Sequence, residues 1–312
     1  MGPGELGSYL RNLPVVIEDW SFVTDLLEVP GYAPPGRPTG ELVLKGAAKQ
    51  GRGESVAFDL QQQRRFPEQI GAVLPTGRVL LGELSLDDLD PHLGAALEGA
   101  LIDLALVQAE RDLGSLCAVS SRPLKAWYSF DAHPDPAVQA AAIRHRHPEA
   151  RLKIDVSPDW TENAVARLAE VGGVAVLDFK QGAADQGPQL RHFFPDVLFE
   201  DGPELPGPRS ADRPVLTPAD ARRLGEAGLA INLKAPRMGG FLAVLDALEL
   251  CRVSGAPCYF GGMFEVGVGR RQARKLAALF APDAWHDLAP LGTPTDPDRA
   301  PPLPIELDGP GF

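Results

Sequence analysis

Lysine is scarce in this 312-residue chain, with seven against twenty-three arginines, and three of the seven stand where an amine could do chemistry. Lys153, Lys180 and Lys234 fall at or beside the C-terminal ends of segments that read as buried strands: Arg-Leu-Lys-Ile-Asp-Val (151–156), Val-Ala-Val-Leu-Asp-Phe-Lys (174–180) and Ala-Ile-Asn-Leu-Lys (230–234). Arginine cannot release its proton, because its pKa stays above about 12, whereas a desolvated lysine can be tuned towards neutrality. The same strand ends carry the carboxylates Asp155, Asp178, Glu200 and Asp201. Amines and acids at successive strand ends point to proton transfer at the C-terminal rim of a β/α barrel. Side chains repeat every two residues along a strand, so Asn232 shares a face with Lys234 and Lys180 with Asp178. Asp155 reads as a partner of Lys153 or Lys180. Glu265 reads as a contact to substrate or Lys234, or as a structural acid.

A rim of this kind needs strands and helices in alternation, and the chain supplies them after residue 120. Strands are expected at 127–130, 151–156, 174–180, 197–199, 230–234 and 257–260. Helices are expected after Asp135-Pro136, from Thr161, after Thr217-Pro218-Ala219-Asp220 and over 241–254, the last opened by Gly239-Gly240. Apolar, non-alternating strands between helices mean a parallel sheet covered on both sides, and this many units favour closure into a barrel. Gly239-Gly240 could present free N–H groups to an anion, or could be a tight turn. Before residue 120 the pattern is that of an α+β domain. Residues 39–60 read as a β-hairpin whose turn includes Gly51-Arg52-Gly53-Glu54. A helix runs from Asp90-Pro91 to Gly114, with Leu93, Leu97, Ala100, Leu101, Leu104 and Val107 on its buried face. The expected domains are 1–120, 121–292 and an extended C-terminal tail, 293–312, returning towards the first domain.

Composition narrows the function. A net charge of −12 argues against nucleic-acid binding, which leaves a basic footprint. Cys117, Cys251 and Cys258 lack metal-ligand spacing and read as reduced packing residues. The first residues show no basic segment ahead of an apolar one, and no apolar run approaches the ~18 residues of a membrane span. The expectation is a cytoplasmic protein that meets neither membrane nor nucleic acid, with homo-oligomerisation left open. The six histidines form no constellation and read as solvated or capping.

Leu216 to Gly240 resembles the sixth-strand region of the enolase superfamily, in the branch of mandelate racemase, muconate lactonizing enzyme and o-succinylbenzoate synthase. Gly261-Gly-Met-Phe-Glu-Val-Gly-Val-Gly269 is similar to that branch's seventh-strand signature, and Gly51-Arg-Gly-Glu54 with the helix through Ala100 to its capping domain. The resemblance implies an α/β protein, with an α+β capping domain on a modified TIM-type (β/α)7β barrel. It implies a metal-dependent isomerase or lyase that abstracts the α-proton of a small carboxylate through an enediolate: a racemase or epimerase, a cycloisomerase or a dehydratase. By position, Lys153 and Lys234 match its catalytic lysines, and Asp178 and Glu200 its ligands for Mg2+. Three departures stand out. No acid follows a fifth strand, because Asp212-Arg-Pro-Val-Leu-Thr-Pro runs straight into a helix; the third ligand is missing, and Asp201 is the candidate replacement. Lys-x-Lys reads Arg151-Leu-Lys153. Asp-x-Asn reads Asp178-Phe-Lys180, which sets an ammonium in competition with the metal. The alternative is a non-catalytic or metal-free relative that binds a small carboxylate in the same cleft.

Overall fold

Strands Asp19–Leu27, Arg37–Gly46 and Lys49–Ser55 form an antiparallel sheet, with Leu27 opposite Arg37 and Gly40 opposite Ser55. The computed structural model describes residues 1–27, 36–86, 88–118, 122–180, 182–288 and 312, so the expected tail lies outside the described residues except for Phe312. The hairpin turns at Ala47-Ala48, both left-handed (φ 49° and 57°), which is the twist a two-residue connection needs. Gly51-Arg52-Gly53-Glu54 is therefore not the expected turn; it lies inside the third strand. The reason is steric. Helix Pro91–Gln108 crosses that strand so closely that a Cβ on Gly51 would meet Leu104 N at 2.2 Å, and one on Gly53 would meet Ala96 O at 1.8 Å. Asp90 caps this helix as expected, accepting from His92 N at 2.9 Å. It ends at Gln108, short of Gly114, because Asp112 caps a separate helix, Leu113–Cys117. Val107, expected on the buried face, is exposed.

The barrel strands are Tyr128–Phe130, Leu152–Val156, Val174–Phe179, Leu198–Glu200, Arg209–Ala211, Ala230–Leu233 and Cys258–Phe260, paired in chain order and all parallel. Trp285–His286 is the eighth, pairing in parallel with Lys125–Ala126 just ahead of the first strand. Its continuation meets the seventh strand at the Gly261–Asp287 bridge. Asp287 N donates to Phe260 O (2.8 Å) and Gly262 N to Asp287 O (2.9 Å), so the ring closes. His286 sits in this closure. Contrary to expectation it is buried: Nδ1 accepts from Phe260 N at 3.1 Å and Nε2 donates to Ala281 O at 3.1 Å. Burial holds its pKa down to about 4.

Helices Pro136–Arg146, Glu162–Val171, Gly187–Phe193, Pro218–Glu226, Phe241–Ser254 and Val268–Phe280 cover six crossovers. The fourth-to-fifth crossover, residues 201–208, has no helix. Thr217 and Asp220 form the expected capping box, each side chain accepting from the other's N–H at 3.1 Å. Apolar burial divides the molecule. One cluster joins the cap (Leu42, Leu97, Leu101) to the barrel half of the fifth to seventh strands (Leu233, Phe241, Leu245, Leu276). A separate cluster (Phe130, Ile154, Leu177, Phe199) underlies the half built on the first four strands. Among the described residues, no helix is long and apolar enough to cross a membrane.

Candidate active site

Leu152, Ile154 and Val156 point into the outer core, so the pleat turns Lys153 and Asp155 inwards. The same alternation brings Asp178, Glu200, Asn232 and Lys234 to the C-terminal rim. Lys153 is 3% exposed. Its ammonium donates to Glu200 Oε2, to Asp287 Oδ2 at 2.7 Å, and lies 3.2 Å from Asp178 Oδ2. Burial would lower its pKa, but the carboxylates of Asp287, Glu200 and Asp178 outweigh that and hold it well above the usual value. Lys153 is an ammonium in this arrangement.

Glu200 is fully buried. Besides Lys153 it accepts from the Tyr259 hydroxyl and from Asn232 Nδ2 at 3.0 Å, and the Ser210 hydroxyl, 3.0 Å away, donates to the Tyr259 oxygen. Burial pushes the Glu200 carboxyl up to about 8, although Lys153 draws it down. Asp178 accepts from Lys180 Nζ at 2.6 Å. Burial would raise Asp178 too, but Lys153 and Lys180 bring it far below the carboxylate range. Lys180 also lies 3.4 Å from Asp155 and is 46% exposed, at the open edge of the cluster. Burial lifts the Asp155 carboxyl to about 7 despite Lys180.

An acid does follow a fifth strand, correcting the expectation. Arg209–Ala211 is the fifth strand, and Asp212 follows it at the rim. Asp212 Oδ1 takes Lys234 Nζ at 2.9 Å and the Arg237 guanidinium. Burial would raise this carboxyl, and Lys234, Lys153 and Arg237 together hold it at about 2. Asp201, the expected substitute, does something else. Its oxygens accept from Asp212 N and Arg213 N, both at 2.9 Å, and from Arg213 Nε at 3.1 Å. It shapes the turn that presents Asp212. Glu265 turns back on its own loop, accepting from Met263 N at 2.9 Å.

Lys153 and Lys234 stand on the second and sixth of eight strands, on opposite sides of the ring. Gly261 makes room for Lys234: a Cβ there would lie 2.4 Å from Lys234 Cε and from Asn232 Oδ1. Sequence reasoning missed Asp212, Asp287 and their supports Ser129, which donates to Asp287 Oδ1 at 2.7 Å, and Arg237. For Asp212 a signal existed, since Arg209–Arg213 is the longest stretch free of Pro and Gly between 201 and 217. Nothing comparable marks Asp287, which ends a two-residue strand.

Among the described residues no three His, Cys, Asp or Glu side chains gather as a ready cation cage. The donor chemistry nevertheless fits a hard divalent ion. Asp178, Glu200 and Asp212 end three consecutive strands, and Asn232 Oδ1 is a buried acceptor with no partner beside them. Lys153 holds two of those three acids in the meantime.

Residues 120–293 match the family described as "Domain of unknown function (DUF8230) C-terminal domain". An N-succinylamino acid racemase of Thermus thermophilus is 25% identical over 237 residues, 69% of this chain and 64% of that protein. An o-succinylbenzoate synthase of Bacillus subtilis is 30% identical over 141 residues, 44% of this chain and 36% of that protein. The chain thus spans less than two thirds of the length of these relatives. A dipeptide epimerase from Methylococcus capsulatus, solved with Mg and the dipeptide L-Arg-D-Lys, superimposes with a TM-score of 0.69 at 20% identity, covering 88% of this chain and 90% of that one. The chain belongs to the DUF8230 family; it shares the fold of the mandelate racemase and muconate lactonizing branch of the enolase superfamily and is similar in sequence to N-succinylamino acid racemases and o-succinylbenzoate synthases.

Proposed function

We propose that this protein abstracts and returns the α-proton of a small carboxylate, as a racemase or epimerase of an N-acylated amino acid or a dipeptide. One observation carries the reading: two buried lysines on opposite strands flank three strand-end acids. An α-proton beside a carboxylate is very weakly acidic, so charge must be stabilised where it develops. Asp178, Glu200 and Asp212 would hold Mg2+, which supplies positive charge to the substrate carboxylate as a Lewis acid. One lysine removes the proton from one face and the other delivers a proton to the opposite face, inverting the carbon. Lys153 keeps Asp287 as its partner whichever group takes Asp178 and Glu200. Tyr259 and Asn232 fix Glu200, and Arg237 fixes Asp212.

The test is solvent-deuterium incorporation at the α-carbon, followed by NMR, with N-succinyl amino acids and dipeptides in the presence of Mg2+. Exchange is expected with the native chain and not with Lys153→Ala or Lys234→Ala. Exchange that persists in the double variant refutes the assignment. The Lys180–Asp178 contact favours a second reading, a relative that binds a carboxylate without metal or turnover. Calorimetry showing carboxylate binding indifferent to Mg2+, with no deuterium incorporated, would select it.

A further inference from the structure

Two helices of the barrel begin on glycine, and neither receives a cap from its own chain segment. Phe241–Ser254 starts after Gly240, and Val268–Phe280 after Gly267, with no side-chain cap bond at either. The first N–H groups of a helix must find acceptors, and glycine offers none. The cap domain supplies both. Glu98, in the middle of helix Pro91–Gln108, accepts from Leu242 N at 2.8 Å and bonds the Phe241 N–H. Glu54, near the end of the third cap strand, accepts from Val266 N at 2.6 Å, Gly267 N at 2.8 Å and Gly269 N at 3.0 Å. The glycines are what admit these carboxylates, since a Cβ on Gly240 would lie 2.2 Å from Glu98 Oε2 and one on Gly269 would lie 3.0 Å from Glu54 Cβ. Gly239-Gly240 thus holds an anion after all, one that the protein brings itself.

We propose that Glu54 and Glu98 are positioning residues that lock the cap, through helix caps supplied across the domain boundary, onto the half of the barrel that carries Lys234. The capped helices follow the sixth and seventh strands. Lys234 lies six residues ahead of Gly240, at the start of the turn that Glu98 anchors. Apolar packing agrees: the cap shares one core with this half, while the half carrying Lys153 has its own. Cap and Lys234 form one mechanical unit, and the position of the cap over the cleft is set from the Lys234 side. This inference concerns the seating of the domain and does not depend on the proposed activity.

Hydrogen exchange read by mass spectrometry on the full chain tests it. Glu98→Ala should speed exchange at the start of helix 241–254 by about fivefold, the effect of losing one cap, and should also speed exchange in the cap segments 49–55 and 91–108. Glu98→Gln keeps an acceptor oxygen and should restore native rates in both regions. The deciding variant is Glu98→Ala/Gly240→Asp. Gly240 is extended (φ 165°, ψ 175°), so any residue fits its backbone, and shortening Glu98 frees the space. An aspartate there caps the helix from within its own segment, without the bond between domains. Helix protection should return while the cap segments stay fast. If the cap segments also return to native rates, Glu98 is only a helix cap and the proposal is overturned; cap exchange unchanged in Glu98→Ala overturns it equally. Should Glu98→Ala not fold, the double variant alone carries the test with the same two outcomes.

Discussion

Asp178 and Asp212 at the rim and Glu54 and Glu98 at the cap–barrel seam are all buried carboxylates, yet their protons are held in opposite directions. At the rim, Asp178 and Asp212 would be raised by burial but are held below the usual range by Lys153, Lys180, Lys234 and Arg237. At the seam, burial wins: Glu54 is raised and Glu98 reaches about 7, although backbone N–H groups oppose the shift. The difference lies in the partner. An ammonium carries a full charge, whereas a helix terminus offers partial charges worth far less. Asp178 and Asp212 are therefore ionised and open to exchange of partners, as the proposed cation site requires, while burial raises Glu200 and Asp155 beside them. Seam acids are committed to backbone groups that cannot move away.

The largest expected effect comes from breaking the rim. Lys153→Ala leaves Glu200, Asp178 and Asp287 without their shared ammonium, and should cost about 3–5 kcal/mol in urea unfolding. The same change should slow α-proton exchange by roughly 10²–10⁴-fold. Next is the pH dependence of the seam against that of the barrel closure. Glu98 goes from an ordinary value of 4.5 to about 7 on folding, facing Arg11 and Asp246. The folded state binds the extra proton, so stability present at low pH is lost as pH rises towards 7, on the order of 3 kcal/mol. Glu98→Gln should remove that decline in unfolding midpoints measured across pH.

His286 does the reverse, because its pKa falls from 6.5 to about 4 on folding. The unfolded chain then binds the extra proton, so stability is lost as pH falls from 6.5 towards 4, again on the order of 3 kcal/mol. His286→Asn should flatten this acid limb. A smaller effect sharpens the rim itself: Asp212→Asn should weaken Mg2+ binding about 10-fold or more by titration calorimetry. Undiminished affinity would remove Asp212 from the metal site. Smallest is Lys180→Met. Relieving Asp178 of a half-exposed competitor should tighten Mg2+ two- to fivefold, the worth of a partly screened ion pair. Unchanged affinity would mean that the ammonium and the ion do not compete.

Residues 151–156, 174–179 and 230–233 could be read as strands because each is a short segment rich in aliphatic residues with a polar or charged side chain near its C-terminal end, and the helix starts at Asp90, Thr161 and Thr217 because each carries its own cap. Those runs, with 197–199 ahead of Glu200, led from the sequence to a barrel and to Lys153, Asp178, Glu200 and Lys234 on one rim. Arg209–Ala211 and Trp285–His286 could not be read in this way. They are short, carry no β signal, and exist because neighbouring strands offer them backbone partners. With them went Asp212 and Asp287. Gly51 and Gly53 looked like a turn because glycine marks both flexibility and close approach, and only the helix lying across them tells which. Asp201 and Asp212 are both acids in a loop-like stretch, and composition cannot separate them. Tertiary structure decided their roles by giving one carboxylate two backbone N–H groups to hold and the other an ammonium and a guanidinium.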